Sequence, residues 1–171
     1  MTFSGYIRML INGIPHDVYI IALIAFCAGA VLMIGINGWK TGWRHAMGLL
    51  IIEYVFLLYA STIIFRVAKP FRQFNFTLFW SYSRPELFVE NVMNVVVFVP
   101  VGLLATSVLK KHRFVKTMAF GFAVSVGIEA LQFILKRGFS EFDDVLHNTL
   151  GTLIGCLLCL SVIKVYRLCR F

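Results

Sequence analysis

Residues 18–36, 46–65, 92–109, 114–135 and 145–163 form five stretches that are each long and apolar enough to cross a lipid bilayer. Hydrocarbon offers no water to backbone N–H and C=O groups, so a crossing segment must satisfy them internally, as a helix of about 20 residues. Of the charged side chains, only Glu53, Lys116 and Glu129 fall inside these stretches. The composition agrees, with 60% hydrophobic residues, 14% charged and a mean hydropathy of +0.85. A soluble domain of 171 residues leaves too much of its surface exposed to hide that much apolar side chain. A soluble globule, a disordered chain and a fibre are therefore excluded. The expected fold class is all-α: a polytopic membrane helical bundle of five transmembrane helices, one membrane domain over residues 1–171.

The first stretch is longer than the apolar core of a secretory signal, and no small-x-small cleavage pattern follows it, so it reads as a retained helix. Phe26 before Cys27 also spoils a lipoprotein cleavage site. The four cysteines have neither the spacing of a disulfide framework nor that of a zinc site, and Cys156 and Cys159 inside the last stretch read as packing. The longest connection, residues 66–91, interleaves Phe71, Phe74, Phe76, Phe79, Trp80, Tyr82 and Phe88 with Arg66, Lys69, Arg72 and Arg84. Such a segment suits the headgroup layer, either as an aromatic belt or as a lid over a site.

Five crossings place the N-terminus and the connections 2–3 and 4–5 on one side. Arg8, Arg66, Lys69, Arg72, Arg84, Lys136 and Arg137 lie there, with Asp17, Glu86, Glu90, Glu141, Asp143 and Asp144. The other side carries Lys40, Arg44, Lys110, Lys111, Arg113, Lys116, Lys164, Arg167 and Arg170, and no acidic residue. Counted by basic residues, this favours an external N-terminus and a cytoplasmic C-terminus. The excess of +8 then speaks for anionic lipid at the inner face, not for nucleic acid.

Strongly polar groups inside a crossing are costly, and each is a candidate site residue. In the fourth stretch Ser125, Glu129 and Gln132 share one helix face. Asp144, His147, Asn148, Gly151 and Gly155 form a stripe at the start of the fifth, and Asn91 and Asn94 open the third. At ~1.5 Å rise per residue, these groups all lie within a few turns of the same interface. The short connection 136–144 makes the fourth and fifth helices antiparallel neighbours, with Arg137 and Arg84 above them. A single polar pocket open to the outer face is the economical reading. The alternative is polar glue between helices, at roughly 1 kcal/mol per contact. Gly151 and Gly155 read as close packing, Lys116 as a snorkelling lysine, and Glu53 either pairs with Arg44 or joins the pocket floor.

The run Glu129-x2-Gln132-x4-Arg137, then Phe139, Asp143-Asp144-x3-Asn148-x2-Gly151-x3-Gly155, resembles the VanZ-like family. Asn94-x3-Phe98-x-Pro100-x-Gly102 and, more loosely, Thr62-x3-Arg66 extend the resemblance over about residues 50–160. Either Asp143 or Asp144 corresponds to the family's aspartate. The resemblance implies a small polytopic protein of the bacterial cytoplasmic membrane, in a family whose name comes from resistance to the glycopeptide teicoplanin. It supplies no reaction. It implies a cell-envelope setting in which polyprenyl-linked precursors and lipoglycopeptides are the ligands to consider.

Three functions compete. In a binding or transport module, Arg137, Arg84 and Lys136 would meet a phosphate or carboxylate. Asn94, Gln132 and Asn148, with Asp143 and His147 beside them, would hydrogen-bond a head group. In an intramembrane enzyme, Glu129 would act as general base, and Asp144 with His147 would orient water or hold a divalent cation. The third is a structural or regulatory partner. Neither GxSxG nor HExxH occurs, and five helices divide poorly into a transporter's paired halves. Binding of an amphipathic, anionic envelope molecule leads, with membrane lipids as standing partners, no nucleic acid, and no cofactor expected beyond that cation.

Overall fold

A computed structural model of the chain describes residues 14–37 and 42–169; Arg8, Lys40 and Arg170, counted above for orientation, lie outside the described residues. Among the described residues, five helical segments are long and apolar enough to span a membrane: α1 (His16–Asn37), α2 (Trp43–Tyr59, continued to Ile64 by a π-helical turn), α3 (Phe88–Val108), α4 (Arg113–Leu135) and α5 (Phe142–Leu168). The chain is a multi-pass membrane protein. The helices overrun the apolar stretches, α5 by three residues at its start. Hydropathy marks the hydrocarbon, whereas helix continues into the interface wherever backbone bonding allows. Asp143 and Asp144 consequently belong to the first turn of α5, where acidic groups suit the helix dipole.

The faces are sorted by what they meet. Ile20, Ile21, Leu23, Ile24, Val31 and Leu32 of α1 are exposed, as befits side chains turned to lipid, and α1 packs chiefly on α2. The core gathers Leu58, Ile63, Phe98, Val101, Val124 and Ile128 from α2, its extension, α3 and α4. Tyr54 Oη donates to Val97 O at 2.7 Å and Tyr59 Oη to Val124 O at 3.1 Å, tying α2 to both neighbours. Thr106 and Thr117 share a hydrogen bond of 3.0 Å between α3 and α4. Pro100 lies inside α3, which runs on through it.

The most extensive contact in the bundle is α3 against α5, and glycine makes it so. A Cβ built on Gly151 collides with Val95 O, one on Gly155 with Val99 O, and one on Gly102 with Thr152 O. Backbone meets backbone at three levels, which only residues without a side chain permit. Gly121 similarly admits Thr152 against α4.

At the site end, α2 runs on as a π-helical turn, Ala60–Ile64. The connection after it holds β1 (Phe74–Asn75), which pairs in parallel with β2 (Ser140–Glu141) in the register Phe74 to Ser140 and Asn75 to Glu141. Lys69 N donates to Lys136 O at 2.7 Å and Ser140 N to Gln73 O at 3.1 Å. The aromatic connection is thus stitched to the hairpin between α4 and α5. It then forms two short 3-10 turns, Trp80–Ser83 and Pro85–Leu87, before α3.

Gly151→Leu should yield no monodisperse folded protein, because the facing backbone of α3 cannot retreat. Gly35→Leu, with nothing within 4 Å of its added Cβ, should stay within about 0.5 kcal/mol of wild type. Size-exclusion profiles and thermal unfolding in detergent check the pair.

Candidate functional site

A cavity of about 370 Å³ opens among the helices at the end where α2 and α4 finish and α3 and α5 begin. Its polar wall holds Arg66, Glu90, Asn94, Glu129, Gln132, Glu141, Asp144 and Asn148; Leu58, Val97, Phe98 and Ile128 form the apolar wall, and Ile14 and Tyr19 close the α1 side. Five of the sequence-predicted residues thereby converge: Asn94, Glu129, Gln132, Asp144 and Asn148.

Each is held by a specific contact. Asn94 Nδ2 donates to Asp144 Oδ1 at 2.6 Å, joining α3 to α5. Asn148 Nδ2 donates to Ser125 Oγ at 2.9 Å, joining α5 to α4. Glu129 Oε2 accepts from Glu141 N at 3.0 Å, and the Glu129 carbonyl accepts from Ser140 Oγ at 2.5 Å. The β2 turn is therefore latched to α4 twice at one residue. Gln132 Nε2 reaches Thr62 O at 3.4 Å. Two acceptors are left over: Gln132 Oε1 and Asn148 Oδ1 are buried without a hydrogen-bond partner. Leaving such groups unpaired costs about 1–3 kcal/mol each, and both belong to residues of the cavity wall.

The other predicted residues lie around the cavity rather than on it. Asp143 is 1% exposed and faces the aromatic connection. Its Oδ1 accepts from Phe79 N at 2.6 Å, and its Oδ2 from Ser81 N at 3.1 Å and Ser81 Oγ at 2.7 Å. Of the acidic pair, Asp144 lines the cavity and Asp143 clamps the loop, as successive helical positions 100° apart require. His147 Nε2 shares a hydrogen bond of 2.9 Å with Tyr82 Oη, and the two rings stack at 5.7 Å. Arg137 Nη1 donates to the carbonyls of Ile63, Ile64 and Arg66, satisfying the end of α2 that the π-turn leaves open. Arg84 sits over the Trp80 ring at 5.1 Å. Lys136 takes the left-handed turn that ends α4 (φ 57°). Arg44 lies over the Trp43 ring, and Glu53 does not line the cavity.

The cation in the cavity wall is Arg66, which the sequence places in the aromatic connection and at the end of a motif but does not single out as a site residue. Its signal was positional: it closes the second apolar stretch at the same interface as Asn94 and Asp144. Glu90 precedes Asn94 by one helical turn and was readable once α3 was extended backward. Glu141 depends on the β1–β2 pairing, which no periodicity announces. Among the described residues, no three His, Cys, Asp or Glu side chains are grouped as a metal ion requires.

Glu141 is half-buried, with its Oε2 accepting from Trp80 Nε1 at 2.9 Å. Burial holds its carboxyl above the ordinary range; the Trp80 bond and Lys69 oppose this, while Asp143 and Glu90 reinforce it. A carboxyl raised on folding keeps its proton where the unfolded chain has lost it. Its contribution is complete below the unfolded pKa and is lost as pH rises through the folded one. The melting temperature of wild type relative to Glu141→Gln should therefore fall as pH rises from about 4 to 7; a constant difference refutes the burial. Asp143→Ala should cost about 2–4 kcal/mol and speed hydrogen exchange at Phe79 and Ser81 without altering exchange in α2.

A family model described as VanZ/LLP1 matches residues 18–164. Protein VanZ of Enterococcus faecium is 30% identical over 119 residues, covering 64% of this chain and 73% of that protein. No solved structure matches.

Proposed function

The chain belongs to the VanZ/LLP1 family, and from that premise we propose that it binds the head group of an amphipathic envelope molecule in the cavity between its helices. The observation that carries this reading is the unequal supply of donors and acceptors in the cavity wall. Gln132 Oε1 and Asn148 Oδ1 are buried and unpartnered, Asp144 and Glu129 add carboxyl oxygens, and Arg66 is the one cation among the lining residues. A matching head group is rich in hydroxyl or amide donors and carries one anionic group for Arg66. Lipid-linked glycan or peptide precursors and lipoglycopeptides have that chemistry. The volume suits a head group, while the apolar wall and the aromatic connection suit the start of a lipid tail.

The proposed setting is the bacterial cytoplasmic membrane, with the cavity at the outer face, the N-terminus outside and the C-terminus cytoplasmic. The excess of basic residues on the C-terminal side supports this. Altered susceptibility to teicoplanin is the proposed phenotype, by analogy with the family's name. An intramembrane enzyme is the second reading, favoured by two carboxyl groups, Glu129 and Asp144, on one cavity wall; Glu129 would be the base and Asp144 its partner.

The test is binding of a fluorescent lipoglycopeptide and of a polyprenyl-diphosphate-linked precursor to the purified protein, with teicoplanin susceptibility of expressing cells alongside. Arg66→Gln and Asn148→Leu should each weaken binding about 10-fold or more while the melting transition stays cooperative. Unchanged binding and susceptibility in both variants, and in Glu129→Gln with Asp144→Asn, would reduce the polar layer to helix glue. Conversion of the precursor that Glu129→Gln abolishes without loss of binding establishes the enzyme instead. A tag after Lys164 labelled from outside intact cells overturns the orientation.

A further inference from the structure

At the opposite end of the bundle, about 530 Å³ of open groove lies between the first turn of α4 and the last turns of α5. Its walls are apolar, with Phe114 and Val115 from α4 and Leu160 and Ile163 from α5, and its rim carries Lys110, Arg113 and Lys164. Arg113 is half-buried, and its Nε donates to Leu109 O at 2.7 Å, which holds the guanidinium at the mouth. The sequence has no Asp or Glu between Glu90 and Glu129, nor any beyond Asp144. The segments that wall the groove thus bring no Asp or Glu side chain to its rim, and an anionic ligand would complement it.

We infer that this groove binds one anionic phospholipid, its phosphate at Lys110, Arg113 and Lys164 and an acyl chain along Phe114, Leu160 and Ile163. Three cations at the level of the headgroups, above a slot of hydrocarbon-facing side chains, complement such a lipid in both charge and polarity. A free phosphate would use the rim alone, and a zwitterionic lipid would bring its own cation against it. Along α4 and α5 the groove stands about three helical turns or more from the polar cavity, and the inference does not rest on the function proposed there.

The full chain, purified and stripped of lipid in detergent, should retain one phosphatidylglycerol in native mass spectrometry. It should prefer that lipid to phosphatidylcholine of the same acyl chains by about 10-fold or more. The double variant Arg113→Gln/Lys164→Gln should lose this preference; Lys116→Gln, an exposed cation one turn along α4 outside the groove, should keep it. Equal retention of the two lipids by wild type overturns the inference, whether or not the double variant folds. So does an undiminished preference in a folded double variant, and so does displacement of the lipid by millimolar inorganic phosphate, which marks an anion site without a lipid slot.

Discussion

The backbone-to-backbone approach of α3 and α5 sets the geometry on which the polar site depends. With side chains at Gly102, Gly151 and Gly155 the two helices would stand apart by the width of a methyl group or more. At their actual separation Asn94 reaches Asp144, two turns before Gly151 along α5. The glycines and the polar pair are consecutive levels of one interface: small residues where apolar backbones must touch, complementary polar groups where the interface approaches water. In hydrocarbon, where lipid tails compete equally for apolar side chains, this combination of close packing and hydrogen bonding is what holds helices together.

From that interface the site is assembled outward by contacts that satisfy backbone rather than side chain. Arg137 closes the carbonyls at the end of α2, Asp143 takes the amides of the aromatic connection, and Glu129 takes that of Glu141. Irregular backbone at the membrane surface survives only when its polar groups are answered, and three charged residues perform that task here. Their burial is thereby accounted for without a ligand. Among the described residues the buried polar atoms left unanswered are Gln132 Oε1, Asn148 Oδ1 and His147 Nδ1; the first two belong to residues of the cavity wall, which is why the proposed function rests on two amides and not on the more conspicuous charges.

The sequence made the bundle legible because its physics is one-dimensional: length and apolarity alone decide which segments cross. The polar layer was legible for a related reason, since depth follows from residue count along each helix, and Asn94, Glu129, Gln132, Asp144 and Asn148 were placed together on that basis. Direction was not legible. Asp143 and Asp144 have the same depth and differ only in azimuth, which depends on where α5 starts and how it is rotated against α3. Arg137 and Arg66 stand at similar heights, yet one turns back to cap α2 and the other faces inward. That choice depends on the π-turn and on the pairing of β1 with β2, two short features without a hydrophobic period.

The distribution of charge gives the two ends of the molecule different capacities. At the cavity end, acidic groups outnumber the single cation of the wall, and every one of them that is buried is tied to a donor from another segment. At the other end, the cations have no acidic residue in the sequence around them, the pattern from which the lipid groove is inferred. A net charge of +8 therefore does not describe a basic protein surface in general. It measures a surplus of basic residues on the C-terminal side of the spans, while the end where the head-group site is proposed is close to balanced.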